Sequence, residues 1–175
     1  MAPLGWTAAF VMAITLLLVI SNKYDQGGTH GKLLEGVEIL YYSIECGRSE
    51  RESAVTWITN TNQLDQTYAD IRKNILGAEP ENPPLVNFEK DGVLFIEMGQ
   101  RSTTGYQLII EEKPISVNNS IVDVNISWIE PSAGSIQAQV ITSPCALIKF
   151  PTGDYSHFRV LDQNNQVRVE TLKNK

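Results

Sequence analysis

The chain has 175 residues, of which 42% are hydrophobic and 19% charged, with a formal net charge of -6. That length holds one ordinary domain and a short extra segment, and the composition excludes wholesale disorder. Lys and Arg are scattered, with no run longer than Arg72-Lys73, which excludes the clustered positive surface that nucleic-acid binding needs.

From Trp6 to Ile20 no residue is charged. As a helix, Ala2 to Ser21 would span about 30 Å at about 1.5 Å per residue, the thickness of a bilayer core. The run is apolar on every side, which argues against a core helix with one buried stripe. Residues 1–21 therefore read as a membrane anchor or signal segment, with retention or cleavage after Ser21 left open. Lys23 alone would bias the remainder toward the cytoplasm. The two cysteines and the β-rich remainder argue instead for a domain outside it, in a bacterial periplasm or at a cell surface, secreted if the segment is cleaved. Residues 22–36, with Gly27, Gly28 and Gly31, read as a flexible tether. Those glycines follow no strand and precede no GKS or GKT, so they do not make a phosphate loop.

The globular part is expected over 37–175. Val37 to Tyr42 and Ala54 to Ile58 read as strands. Leu64, Tyr68, Ile71 and Ile75 repeat at helical spacing, with Thr61 or Asn62 as cap, Asp65 in the first turn, and Gly77 with Pro80 to Pro84 ending the helix. After a turn at Lys90-Asp91-Gly92, Val93 to Met98 reads as a central strand. Alternation then marks strands around Tyr106, Leu108 and Ile110; around Val122, Val124, Ile126 and Trp128; around Ile136, Ala138 and Val140; around Ala146, Ile148 and Phe150; around Phe158 and Val160; and around Val167 and Val169. This predicts a mainly β fold, antiparallel sheets packed as a sandwich or partly open barrel, with an immunoglobulin-like arrangement among the candidates. The expected core is Phe95, Leu108, Ile110, Val124, Ile126, Trp128, Val140, Ile148, Phe158 and Val160.

Groups suited to catalysis are sparse. Cys46 and Cys145 read either as one long-range disulfide, which we favour, or as two buried thiols. Cys145 with His157 is the one conceivable nucleophile–base pair, but Cys145 follows Pro144 at the start of an apolar strand. Asp154, Ser156 and His157 read as a hairpin turn, and Glu111 and Glu112 would point to opposite faces of a strand. No metal-ligand spacing or cofactor motif is present in the sequence. The most distinctive segment is Gly99 followed by Gln100, Arg101, Ser102, Thr103, Thr104, Gly105 and Tyr106. Gly105 suits a reversal, the hydroxyls can stiffen the backbone, and Tyr106 can bury its ring with a wet hydroxyl. It reads as a structural hairpin or as a shaped loop offered to a protein partner.

Leu85 to Asp162 resembles the carboxy-terminal domain of the PrcB family, named for a protease-complex subunit. The matching marks are Val86-Asn87-Phe88, Gly99 with Ser102 to Tyr106, Glu130-Pro131, and Thr142-Ser143-Pro144-Cys145 before Leu147 to Pro151. Thr104 stands where the family's TGGY-like core has its first glycine. The resemblance implies an extracytoplasmic, often membrane-tethered β-domain with a role in binding or stabilising a protease, and the sparse catalytic groups add the expectation that the chain is not an enzyme. The loop is also similar to the first inhibitory loop of chagasin-type cysteine-protease inhibitors, with Arg101-Ser102 replacing Asn-Pro; GxGG and RPW-like loops are missing from the sequence. The expectation is a binding module, tethered through residues 2–21, whose partner is a protein.

Overall fold

A computed structural model describes residues 32–47, 50, 52–73, 75 and 81–173. The apolar segment 1–21 lies outside them, and among the described residues no helix is long and apolar enough to cross a membrane. Among the described residues nine strands and one helix follow in order: β1 (Lys32–Leu33), β2 (Glu38–Ser43), β3 (Ala54–Ile58), α1 (Thr61–Lys73), β4 (Asp91–Glu97), β5 (Gln107–Asn118), β6 (Ile121–Ile129), β7 (Cys145–Pro151), β8 (His157–Leu161) and β9 (Val167–Leu172). They form a five-stranded sheet, β1-β5-β6-β8-β9, and a four-stranded sheet, β2-β7-β4-β3. The arrangement is a sandwich, not a closed barrel. Lys32 and Leu33, at the end of the segment read as a tether, pair with Val117 and Ser116 of β5.

The burial pattern follows from layering. The sheets face each other across a core that includes Leu94, Ile96, Leu108, Val122, Val124, Ile126, Trp128, Ile148, Phe150, Phe158 and Val160. The other face of the four-stranded sheet packs Ile58, Val93, Phe95 and Leu147 against Leu64, Tyr68 and Ile71 of α1. β4 and β7 are thus covered on both faces, so their sequences are almost unbroken apolar runs, whereas β6 has one solvated face and alternates. The β5–β6 turn places Asn119 and Ser120 at positive φ, 48° and 66°, the conformation a two-residue hairpin loop requires.

Several expectations are corrected. Ile136 to Val140 is not a strand: Ile136 is 99% exposed and Val140, expected in the core, 47%. That segment crosses from one sheet to the other, and Gln137 bonds to Thr104 and Ser135 within the loops instead of joining a ladder. Ile110 is only half-buried, and Phe95 packs on the helix side of its sheet. The sheets are not wholly antiparallel, because β6 and β8 run parallel. The chain leaves β6, builds β7 in the opposite sheet and returns, which supplies the long crossover that a parallel pair requires. For the same reason the Asp154–His157 stretch and the Gly99–Tyr106 loop connect different sheets, so neither is a hairpin. The turn expected at Lys90 to Gly92 falls two residues earlier, at Phe88 to Lys90, and β4 already begins at Asp91. The helix is capped by Asn60, one residue before the expected cap: its Oδ1 accepts from the Gln63 amide at 3.0 Å, while Gln63 Oε1 accepts from the Thr59 amide at 3.0 Å. Starting at Thr61, the first turn holds no acidic residue, so Asp65 falls beyond it.

The protonation equilibria give a pH dependence. Tyr68 is pushed up by burial first and by its hydrogen bond with Glu81 second. Tyr155 is pushed up by burial, and Lys149 by its hydrogen bond to Glu38. All three hold their protons more tightly folded than unfolded, so the folded chain binds more protons in the alkaline range. Their contribution is intact below about pH 9 and is lost as pH rises past about 10. Urea midpoints are expected to fall as pH rises above about 10, and less steeply in Tyr68→Phe; equal slopes would refute the assignment to Tyr68.

Candidate functional site

Three connections meet at the end of the sandwich where β4 finishes and β7 begins. Past Glu97, the chain turns at Gly99 (φ 75°), and Arg101 pairs with Thr142, N–H donating to C=O in both directions at 2.7 and 2.9 Å. On the other flank the Cys46 amide donates to Ser143 O at 3.0 Å, and the Ser143 amide to Ile44 O at 3.0 Å. The Gln100 amide donates to Glu50 O, and Ser53 Oγ donates to Met98 O. Cys46 and Cys145 are disulfide-bonded across this end, with Cα atoms 6.0 Å apart. The favoured reading of the cysteine pair is therefore the one found.

Thr104 ties the loop to the crossing segment through its side chain and amide, and Thr103 does so through its backbone oxygen. The Thr104 amide donates to Ala138 O at 3.1 Å, Thr104 Oγ1 accepts from the Ala138 amide at 3.2 Å, and Thr142 Oγ1 donates to Thr103 O at 3.1 Å. Gly105 sits at φ 92°, a conformation that calls for glycine, and a Cβ there would lie 2.8 Å from Gln137 Oε1 at the tip of a flexible side chain. Arg101 reaches Ser53 Oγ at 3.0 Å and lies 5.7 Å from the Tyr106 ring centroid, while Tyr106 packs against the inter-sheet core. Ser102 is the exposed member of the loop. Gln100, Arg101, Ser102 and Tyr106 line a cleft of about 320 Å³ whose remaining wall is Ile141, itself 63% exposed. The seven loop residues are thus held in one stiff turn. Sequence reasoning missed the second half of the surface, Gln137 to Thr142. Its alternation of apolar residues with glutamines reads as a strand, and the one local sign of a break was Pro144 between it and Cys145.

Residues 93–151 match the PrcB C-terminal family. The PrcB match runs from β4 through β7 and contains the whole loop, the Gln137–Thr142 segment and Cys145; Val86-Asn87-Phe88, α1 and Cys46 lie outside it. No curated protein and no solved structure matches the chain.

Other chemistry-bearing residues around the PrcB segment have structural partners. Cys145 is held in the disulfide and is therefore no nucleophile, and His157 Nε2 lies 3.2 Å from Glu170 Oε2 on the far sheet. Arg159 grips Asp123 with two hydrogen bonds of 2.7 and 2.8 Å, which raise its pKa further. Glu111 accepts from Ser127 Oγ at 2.7 Å, and Glu111 and Glu112 are both exposed. Among the described residues no group of three or more His, Cys, Asp or Glu could hold a metal ion.

Proposed function

We propose that the chain is a non-catalytic accessory subunit of a protease complex, exported and tethered through residues 2–21, that grips its protein partner with the surface formed by Gln100 to Tyr106 and Ile141. One observation carries the reading: within the PrcB-matched segment, a loop with an exposed tip and an apolar wall is immobilised on a rigid sandwich end by backbone bonds to Glu50, Ala138 and Thr142. Preorganised loops bind at low entropic cost. The disulfide suits an oxidising compartment, which agrees with export.

The test is affinity purification of the tagged full chain from membranes of its native host. The expected partner copurifies with proteolytic activity, and the mature amino terminus still includes residues 2–21. Ser102→Trp and Ile141→Asp alter exposed side chains without touching the loop's internal bonds. Each is expected to reduce the retained partner at least tenfold, about 1.4 kcal/mol. Full retention in both variants, with unchanged melting, would remove the loop from the interface.

A further inference from the structure

The sandwich is closed on one side and open on the other. On the closed side β3 and β9 run beside each other. On the open side the edges are β2 and, for most of its length, β5. β1 covers only Ser116 and Val117 of the twelve-residue β5, with the Leu34 amide adding one bond to Ile115 O. Between Ile110 and Ile115 the β5–β6 register shifts, and beyond that irregularity Gln107 to Ile110 pair with Ile129 to Ile126 in unbroken register. In such a ladder every second residue turns both its N–H and C=O away from the partner strand. Among the described residues, none of the backbone groups from Gln107 to Ile110 bonds to anything but β6.

Side chains on the facing edge point to what this gap lacks. Ile39 and Tyr42 of β2 lie opposite Ile148 and Ala146, both in the inter-sheet core, so their side chains are on the inner face. Yet they are 48% and 43% exposed. Inward-directed apolar residues are left half-wet when the strand that would cover them is absent. The Gln107 end of this gap adjoins the cleft walled by Tyr106 and Ile141.

We infer that the Gln107–Ile110 edge of β5 is a strand-addition site: an extended segment of a partner polypeptide, with apolar side chains at alternate positions, continues the edge where β1 stops. The backbone pairing supplies affinity, and the inward side chains fill the seam over Ile39 and Tyr42. Exposed Glu111 and Glu112 beyond the edge favour a basic residue at the end of the segment. A second copy of this chain, at net charge -6, is the poorer occupant. The β2 edge is the weaker template, because it is kinked by a register shift at Leu40 and carries the Glu38–Lys149 pair. The inference rests on the domain being a protein-binding module and specifies the docking mode.

The experiment is hydrogen exchange of the full chain with the probe peptide Lys-Val-Thr-Val-Thr-Val-Lys, amino-acetylated and carboxy-amidated. At ten times its Kd, the edge amides in Gln107 to Ile110 are expected to exchange about tenfold more slowly. Methylating the backbone nitrogens of alternate residues, in one of the two possible settings, abolishes this protection. Tyr42→Lys weakens the peptide about tenfold at unchanged melting, whereas Val167→Lys, on the closed side, leaves it intact. Lack of protection, or equal binding of both methylated peptides, overturns the inference. So does protection already present in the chain alone: concentration-dependent protection assigns the edge to a second copy, and concentration-independent protection to another segment of the same chain. None of these results touches the loop reading, which is scored separately by partner retention in Ser102→Trp and Ile141→Asp.

Discussion

Replacing Cys46 and Cys145 together by alanine is expected to lower the unfolding free energy by about 4–5 kcal/mol, as read from urea titrations. The bond links residues 99 apart, and closing a loop of that size removes about this much free energy's worth of conformational freedom from the unfolded chain. Whole domains of this kind hold only about 5–15 kcal/mol, so the double variant keeps a small margin or none at physiological temperature. The native side of the balance changes little. Both sulfurs are buried on the helix side of the four-stranded sheet, among Ile58, Tyr68 and Leu147, and the Cys46 amide stays anchored to Ser143 without the bond. The effect therefore falls on the unfolded state. A second signature follows: the denaturant slope rises, because an uncrosslinked chain exposes more surface on unfolding. A loss below about 1 kcal/mol with an unchanged slope would contradict the chain-entropy account. A loss of the expected size with Gln100, Thr104 and Thr142 amides still protected would show that the bond stabilises the domain without shaping the loop.

How far the fold was legible depended on whether a residue's environment is set by its near neighbours. Val122, Val124, Ile126 and Trp128 alternate because β6 has one wet face, and each is buried as the pattern demands. Leu94 and Phe95 are equally apolar but serve different layers, one facing β6 and the other α1. An unbroken apolar run announces a covered strand without saying what covers either face. The parallel pairing of β6 with β8 was illegible for a similar reason. It is fixed by β7 entering the other sheet between them, and no local signal in Pro131 to Gly134 or Pro151 to Asp154 encodes which sheet comes next.

The site shows the same division. Gly105 and the Ser-Thr-Thr sequence mark a constrained bend, and a positive φ of 92° is what such a glycine supplies. The bend's actual fastenings are far away in the chain, at Gln137, Ala138 and Thr142 on one flank and at Glu50 and Ser53 on the other. Period-two spacing in that segment suits a strand, but Ile136 and Val140 have no opposite sheet to meet, so the pattern describes a crossing loop with apolar side chains left on the surface. The cysteines were legible as a pair because a long-range bond requires only two sulfurs and a permissive compartment; their position beneath the loop end required the fold.

Gly92→Ala is expected to destabilise the domain by about 3 kcal/mol, the upper end of overpacking costs. A Cβ at Gly92 would fall 2.0 Å from Cη2 and 2.2 Å from Cζ2 of Trp57. Trp57 lies on edge strand β3, one ladder step away, and its indole crosses β4 over the bare glycine to stack on Phe158 at 4.7 Å and 24°, with Phe150 at 5.0 Å. Tyr155 closes the group edge-on at 6.5 Å. The added methyl cannot be absorbed by a flexible tip, because the atoms in its way belong to a ring wedged among three others. Glycine in a strand otherwise costs roughly 0.5–1 kcal/mol relative to alanine, so removing the clash should reverse the sign. Trp57→Ala alone is expected to lose about 3–5 kcal/mol with the vacated ring volume. Adding Gly92→Ala to that variant should then be neutral or stabilising, giving a coupling of about 3 kcal/mol between the two sites in a double-mutant cycle. Additive losses would mean that Trp57 does not depend on the bare backbone at Gly92, and that the aromatic cluster is held by the sheets rather than by this crossing.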